Sequence, residues 1–167
     1  EAISLLNRNF DLDIKNYVSV NFNALVKVID ALGGIDIKMT KEEAHWCNLY
    51  GAETARVIGE HWSDIEEKAG TQHLDGIHGV AYARIRYTSG NDFKRAQRQR
   101  IVLEKVAKKA QKANFITLNK IVNEVFPMIS TSFSSKQILG FAANALNYNL
   151  VSTNGFPYQV TTSETVK

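Results

Sequence analysis

Residues 17–44 read YVSVNFNALVKVIDALGGIDIKMTKEEA. Asn16 to Phe22 reads as a strand, Asn23 to Leu32 as a helix closed by Gly33-Gly34, and Ile35 to Met39 as a second strand of alternating polarity. Thr40 followed three residues later by Glu43 is a capping box, which opens a further helix. Strands that alternate with helices predict an α/β fold, a layered α-β-α domain with a mixed central sheet.

Working outward, the segment up to Ala69 reads as helical in two pieces, with Gly51 and Gly59 as weak points and Gly70 as a stop. A long helix is expected from Phe93 to about Asn114. Others are expected from Leu118 to Phe126, closed by Pro127, and from Lys136 to Asn147 after a Ser134-Ser135 cap. The polar tail beyond Val151, with Pro157, reads as an edge strand. No internal repeat, low-complexity tract or linker interrupts the chain. Its 167 residues, 44% hydrophobic with two prolines, fit one globular domain able to bury a core without disulfides. The single Cys47 excludes an internal disulfide and reads as a small packed residue. There is no apolar run of ~18 residues or signal-peptide pattern.

The charge is concentrated. Residues Tyr82 to Lys112 carry ten Lys or Arg against Asp92 and Glu104, a formal +8, so the rest of a chain of net charge +3 holds −5. At the front of this stretch a period of two puts Tyr82, Arg84 and Arg86 on one side and Ala81, Ala83, Ile85 and Tyr87 on the other, which predicts a strand. Alternate residues of a strand lie ~6.5–7 Å apart, close enough for two guanidinium forks to grip one diphosphate. Thr88 to Asn91 forms a turn-rich connector, and Asp92 reads as an N-cap for the helix starting near Phe93.

With Arg95 taken as the origin at roughly 100° per residue, Gln99, Val102, Val106, Ala110 and Ala113 fall within about 60° of it. Arg100, Glu104, Lys105, Lys108 and Lys112 fall on the other side and read as the solvent face. Arg95 thus continues the apolar stripe and Arg98 sits at its edge, where a cation needs an anion or an acid. Arg84, Arg86 and Arg95 could simply pair with acids of the same protein. Against that, the strand arginines, a helix N-terminus that attracts anions, and Arg95 with Gln99 converge on one connector, as a phosphate or diphosphate pocket requires.

Other chemistry has weaker support. His45 with Cys47 and His73 with His78 match no zinc spacing, and TSGNDFKR is not a Walker loop. Glu42, Glu43, Glu66 and Glu67 read as solvated helix charges, and Trp46, Trp62, Phe115 and Phe126 as core residues.

The run LDGIHGVAYARIRYTSGNDFKRAQRQRIVLEKV, residues 74–106, resembles the signature of the LytR-CpsA-Psr family, Leu-x-Gly-x-Gln-Ala-Leu-x-Tyr-x-Arg-x-Arg followed by Asp-x-x-Arg-x-x-Arg-Gln. Leu74, Gly76, Tyr82, Arg84, Arg86, Asp92, Arg95, Arg98 and Gln99 match it; His78 stands where Gln is usual and Val80 where Leu is. Residues 17–44 and the stretch STSFSSKQILGFA are also similar, so the resemblance covers most of the chain.

The resemblance implies a phosphotransferase at the extracellular face of a bacterial cell membrane. Such an enzyme moves a glycopolymer, of teichoic acid or capsule polysaccharide type, from a polyprenyl diphosphate carrier to a peptidoglycan acceptor. By the same resemblance Arg84, Arg86, Arg95 and Gln99 bind the diphosphate with Arg98 in support, Arg95 also serves in catalysis, and Asp92 orients an arginine or assists the acceptor hydroxyl. Family members usually begin with a transmembrane helix and a half-domain bearing Mg²⁺-binding aspartates. Here EAISLLNRNF resembles a helix from mid-domain. Membrane association and the Mg²⁺ ligands are therefore expected from a segment ahead of this chain, which alone is expected not to complete transfer. The alternative is a nucleic-acid-binding transcriptional regulator, which would carry its cations on an exposed helix face.

Overall fold

The computed structural model describes residues 1–87, 91–134, 136, 137, 140, 141 and 144, with the side chains of residues 91, 92 and 115 outside that description. Its elements are α1 (Ala2–Phe10), β1 (Val18–Val20), α2 (Phe22–Ala31), β2 (Ile35–Met39), α3 (Lys41–Ile58), β3 (Gly70–Leu74), α4 (Gly76–Arg84), α5 (Asn91–Lys112), α6 (Phe115–Val125), a 3-10 turn (Phe126–Met128) and β4 (Ile129–Thr131). The class is α/β. Among the described residues the strands pair as two antiparallel ribbons, β1 with β4 and β2 with β3, where one mixed sheet was expected.

Local chemistry explains the well-read elements. Asn21 caps α2 by accepting a hydrogen bond from the Ala24 amide, and Gly33 and Gly34 take the positive φ that turns the chain into β2. In β2 alternate residues are buried and exposed. Ile35 pairs with Leu74 and Met39 with Gly70 of β3. The Thr40 hydroxyl accepts from the Glu43 amide and the Glu43 carboxylate accepts from the Thr40 amide, closing the capping box of α3. That helix runs through Gly51 without a break and stops at Gly59, φ 76°.

The strand expected at Tyr82 to Arg86 is not one. Arg84 is the last residue of α4, Ile85 follows in extended conformation, and Arg86 lies on the connector. Every residue from Gly76 to Ala83 is buried. A helix buried all round shows no amphipathic period, so the period of two in its last residues was the only pattern left to read. Asp75 caps it, accepting from the His78 amide at 2.9 Å. The segment ahead of it is no second helix either: residues 60–69 are irregular and GTQHL forms β3. Two glycines let α4 approach α2. A Cβ on Gly76 would overlap the Val26 carbonyl oxygen, and one on Gly79 would come 2.7 Å from Ile29 Cδ1. Ile29, Ile35, Leu74, Ile85 and Val102 are buried together where α2, β2, β3 and α5 close over α4.

The helix expected from Leu118 runs from Phe115 to Val125, and Pro127 stands in the 3-10 turn after it. The expected edge strand beyond Val151 and most of the Lys136 to Asn147 helix lie outside the described residues. No described helix is long and apolar enough to cross a membrane.

Candidate functional site

α4 ends at Arg84 on one side of a cleft, and the connector brings Arg86 and Tyr87 beside it. The second turn of α5 supplies Arg95 and Gln99 from the opposite direction. Trp46, Leu49, Tyr50 and Glu53 project from α3, and Phe22 from the start of α2. Together these ten residues line a cleft of about 570 Å³. Arg84, Arg86, Arg95 and Gln99 thus gather as expected, through a helix end and a connector where a strand face was expected.

Arg84 is tightly held. It donates to the Thr54 hydroxyl at 2.8 Å and to the Glu53 carboxylate at 3.0 Å. Its guanidinium carbon lies 5.1 Å from the centre of the Phe22 ring and 5.5 Å from that of Tyr50, within cation–π range. These bonds use two of the roughly five N–H donors a guanidinium carries, so the fork keeps donors for a further anion. Arg95 is half-buried, while Arg86 and Gln99 are exposed.

Arg98 faces elsewhere. It is 3% exposed, donates through Nε to Glu43 at 3.0 Å and through a terminal nitrogen to the Ile85 carbonyl at 3.1 Å. Burial, with the Glu43 carboxylate beside it, pushes the nearby Tyr82 phenol up to about 12. The inward stripe of α5 is therefore centred on Arg98 and Val102 and not on Arg95. Glu43, read as a solvated charge, is the half-buried partner of Arg98. The helix begins at Asn91, so Asp92 sits inside the first turn and not at the cap; its side chain lies outside the described residues.

The sequence reading missed the aromatic wall of the cleft. The Trp46 and Tyr87 rings are 5.0 Å apart, and Tyr50 stacks over Tyr87 at 6.4 Å with 19° between planes. Burial raises the Tyr50 phenol, reinforced by Tyr87 and opposed by Arg84. Trp46, Leu49, Tyr50 and Glu53 recur at three- and four-residue spacing, one face of α3; the signal was present and went unread. Three of the four histidines are engaged in pairs, His45 with Glu67, His73 with Asp36 and His78 with Asp75, each at 2.8 Å. No three His, Cys, Asp or Glu side chains gather as a cation site among the described residues. The described residues of the cleft do not fit a Mg²⁺ site.

Comparison with known proteins gives three kinds of match. The sequence profile of the LytR_cpsA_psr family matches residues 1–167. The chain is 27% identical to biofilm regulatory protein A of Streptococcus mutans over 98% of its own length and 41% of that protein's. It is 31% identical to the polyisoprenyl-teichoic acid–peptidoglycan teichoic acid transferase TagU of Halalkalibacterium halodurans over 71% of its length and 34% of that protein's. The chain thus spans less than half the length of these relatives. Its fold superposes on TagT bound to LIIa-WTA with a TM-score of 0.62 at 20% identity, covering 86% of this chain and 50% of that one.

Proposed function

The chain belongs to the LytR-CpsA-Psr family, and from that premise we propose that its cleft holds the diphosphate of a polyprenyl-linked glycopolymer during transfer of the polymer to peptidoglycan. The observation that carries this reading is the gathering of Arg84, Arg86, Arg95 and Gln99 in one cleft with an aromatic wall. Guanidinium forks bind phosphate oxygens bidentately, and Phe22, Trp46, Tyr50 and Tyr87 offer apolar surface beside them. The printed name of TagU, a polyisoprenyl-teichoic acid–peptidoglycan teichoic acid transferase, supports the donor and acceptor classes.

An acceptor hydroxyl of peptidoglycan attacks the phosphorus next to the glycan. A new P–O bond forms, the bridging P–O bond of the diphosphate breaks, and polyprenyl monophosphate leaves with the bonding pair. The hydroxyl proton passes to a base, the role proposed for Asp92. Arg84, Arg86 and Arg95 hold the donor and neutralise charge as it shifts to the leaving oxygen, the main demand of phosphoryl transfer. Arg98 supports the site from beneath by holding the Ile85 carbonyl between Arg84 and Arg86. A Mg²⁺ ion held by ligands other than the residues of this cleft would supply further neutralisation of the donor's charge. The reading places the protein at the outer face of a bacterial membrane, held there by a segment that is not part of residues 1–167. A DNA reader would carry its arginines on a convex helix face, and the concave cleft argues against that alternative.

The test is calorimetric titration with a short-chain polyprenyl diphosphate. Arg84→Ala and Arg86→Ala are expected to weaken binding by roughly 1.5–3 kcal/mol each, the range for hydrogen bonds to charged groups, and Lys108→Ala to leave it unchanged. Equal losses for all three would mean a diffuse basic surface and would sink the reading.

A further inference from the structure

Toward its C-terminal end α5 carries Lys105, Lys108, Lys109 and Lys112 at spacings of three and four residues, one helix face. Lys105, Lys108 and Lys112 are exposed there, on the solvent side that the sequence suggested, and Lys109 is half-buried. Lys105 lies one heptad after buried Arg98, and Lys109 one heptad after buried Val102, so past the core the continuation of the buried stripe reaches solvent and is cationic. The four lysines border a second, smaller cavity of about 180 Å³, closed on its other side by Ile35 and Asp36 of β2.

The charges in this notch do not cancel. Lys108 pairs with Glu104, and Lys109 donates to the Leu32 and Gly33 carbonyls at the end of α2, at 3.3 and 3.1 Å. Asp36 is bonded to His73, and its carboxyl is held below the usual range by that bond and more weakly by Lys109 and Lys105. Four ammonium groups thus face two carboxylates, Asp36 and Glu104. Among the described residues no acid pairs with Lys105 or Lys112. Every three- and four-residue pair within the set is like-charged, which destabilises an isolated helix. The helix dipole offsets this for Lys109 and Lys112 in the last turn but not for Lys105 and Lys108 farther in.

We propose that this lysine notch is a second anion site, distinct from the arginine cleft, which takes the phosphodiester chain of an anionic glycopolymer. Lys105 and Lys112 are seven residues apart, ~10 Å along the helix, which suits a row of phosphates more than one small anion. Among the described residues that line the notch the one apolar side chain, Ile35, is fully buried, so they offer no exposed apolar anchor for insertion into a lipid surface. Naming a glycopolymer as the ligand rests on the function proposed above; the anion site itself does not.

The experiment compares two probes on the purified chain, poly(glycerol phosphate) by calorimetry and inorganic pyrophosphate through the fluorescence of Trp46 in the cleft. The triple variant Lys105→Gln, Lys108→Gln, Lys112→Gln leaves Lys109 on its carbonyls, and its thermal midpoint is checked against the parent. It is expected to weaken poly(glycerol phosphate) binding roughly tenfold or more, about 1.4 kcal/mol for the three lysines together, and to leave the pyrophosphate response unchanged. Arg84→Ala with Arg86→Ala is expected to abolish the pyrophosphate response and retain polymer binding. Polymer affinity indifferent to the triple variant overturns the notch. So does loss of binding to phosphatidylglycerol vesicles in the triple variant with polymer binding intact, because the occupant is then a lipid surface. Failure of the arginine variant alone overturns the proposed function and leaves the notch standing.

Discussion

Glu43 and Arg98, 55 residues apart in sequence, form an ion pair 3.0 Å long in which the arginine is buried and the carboxylate half-buried. The other oxygen of the same carboxylate accepts the Thr40 amide at 2.9 Å, and the guanidinium reaches on to the Ile85 carbonyl. One side chain thereby ties the start of α3 to α5 and to the peptide between the two cleft arginines. Removing Arg98 strands the half-buried Glu43 carboxylate, so Arg98→Met is expected to cost up to about 3 kcal/mol, the low end of the range for breaking a fully buried pair. Combined with Glu43→Gln, which can keep the cap bond, the loss is expected to be smaller than the two single losses added. Urea unfolding of the four proteins measures this, and strict additivity would show the pair to be uncoupled.

Glu53 is the acid inside the arginine cleft, and Arg84 is its partner at 3.0 Å. It repels an incoming diphosphate and competes for the same fork. Glu53→Gln is expected to tighten pyrophosphate binding by about 0.2–1 kcal/mol, the worth of a partly exposed ion pair. Weaker binding in the same titration would mean that Glu53 holds Arg84 in its binding pose.

Asp75 gives the fold an acid limit. Burial raises its carboxyl, but hydrogen bonds from the His78 ring and amide outweigh that and hold it below its ordinary value of 3.8. A depressed acid contributes stability that is fully present above the unfolded value and is lost as pH falls through the folded one. Asn is also a good N-cap, so Asp75→Asn is expected to keep the cap and flatten the loss of stability below about pH 4. Denaturant melts from pH 6 down to pH 3 test this, and parallel curves for the two proteins would refute it.

The two glycines of the α2–α4 contact are expected to rank unequally. A Cβ on Gly76 meets the Val26 carbonyl, which is backbone, whereas one on Gly79 meets the end of a flexible Ile29 side chain. Overpacking of this kind costs typically ~1–3 kcal/mol. Gly76→Ala is expected at or above the top of that range and Gly79→Ala toward its bottom, read from thermal melts. The reverse order would mean that α2 shifts more readily than Ile29 changes rotamer.

How much the sequence disclosed depended on how each element is covered. β2 was legible because one of its faces is buried and the other is not, and the Thr40–Glu43 box because its chemistry is local. α4 was illegible because all its faces are covered, and GTQHL because a five-residue strand with little β-branched content resembles a turn. Arg84 and Arg86 were rightly brought together with Arg95 and Gln99, although by the wrong backbone. The phase of α5 was set from Arg95 when the buried partner of Glu43 was Arg98. That partner is set by the approach of a distant helix, which no spacing along α5 encodes.

The complete burial of α4 bears on when the cleft can come apart. Amides of an element enclosed on all sides exchange with solvent only when the domain opens as a whole, whereas exposed ends fray on their own. Arg84 is the last residue of that enclosed helix, and Thr54, which accepts from it, is 1% exposed. Transient opening of α1, none of whose residues is buried, leaves this arginine in register. Its position is thus expected to be lost only when the domain opens as a whole.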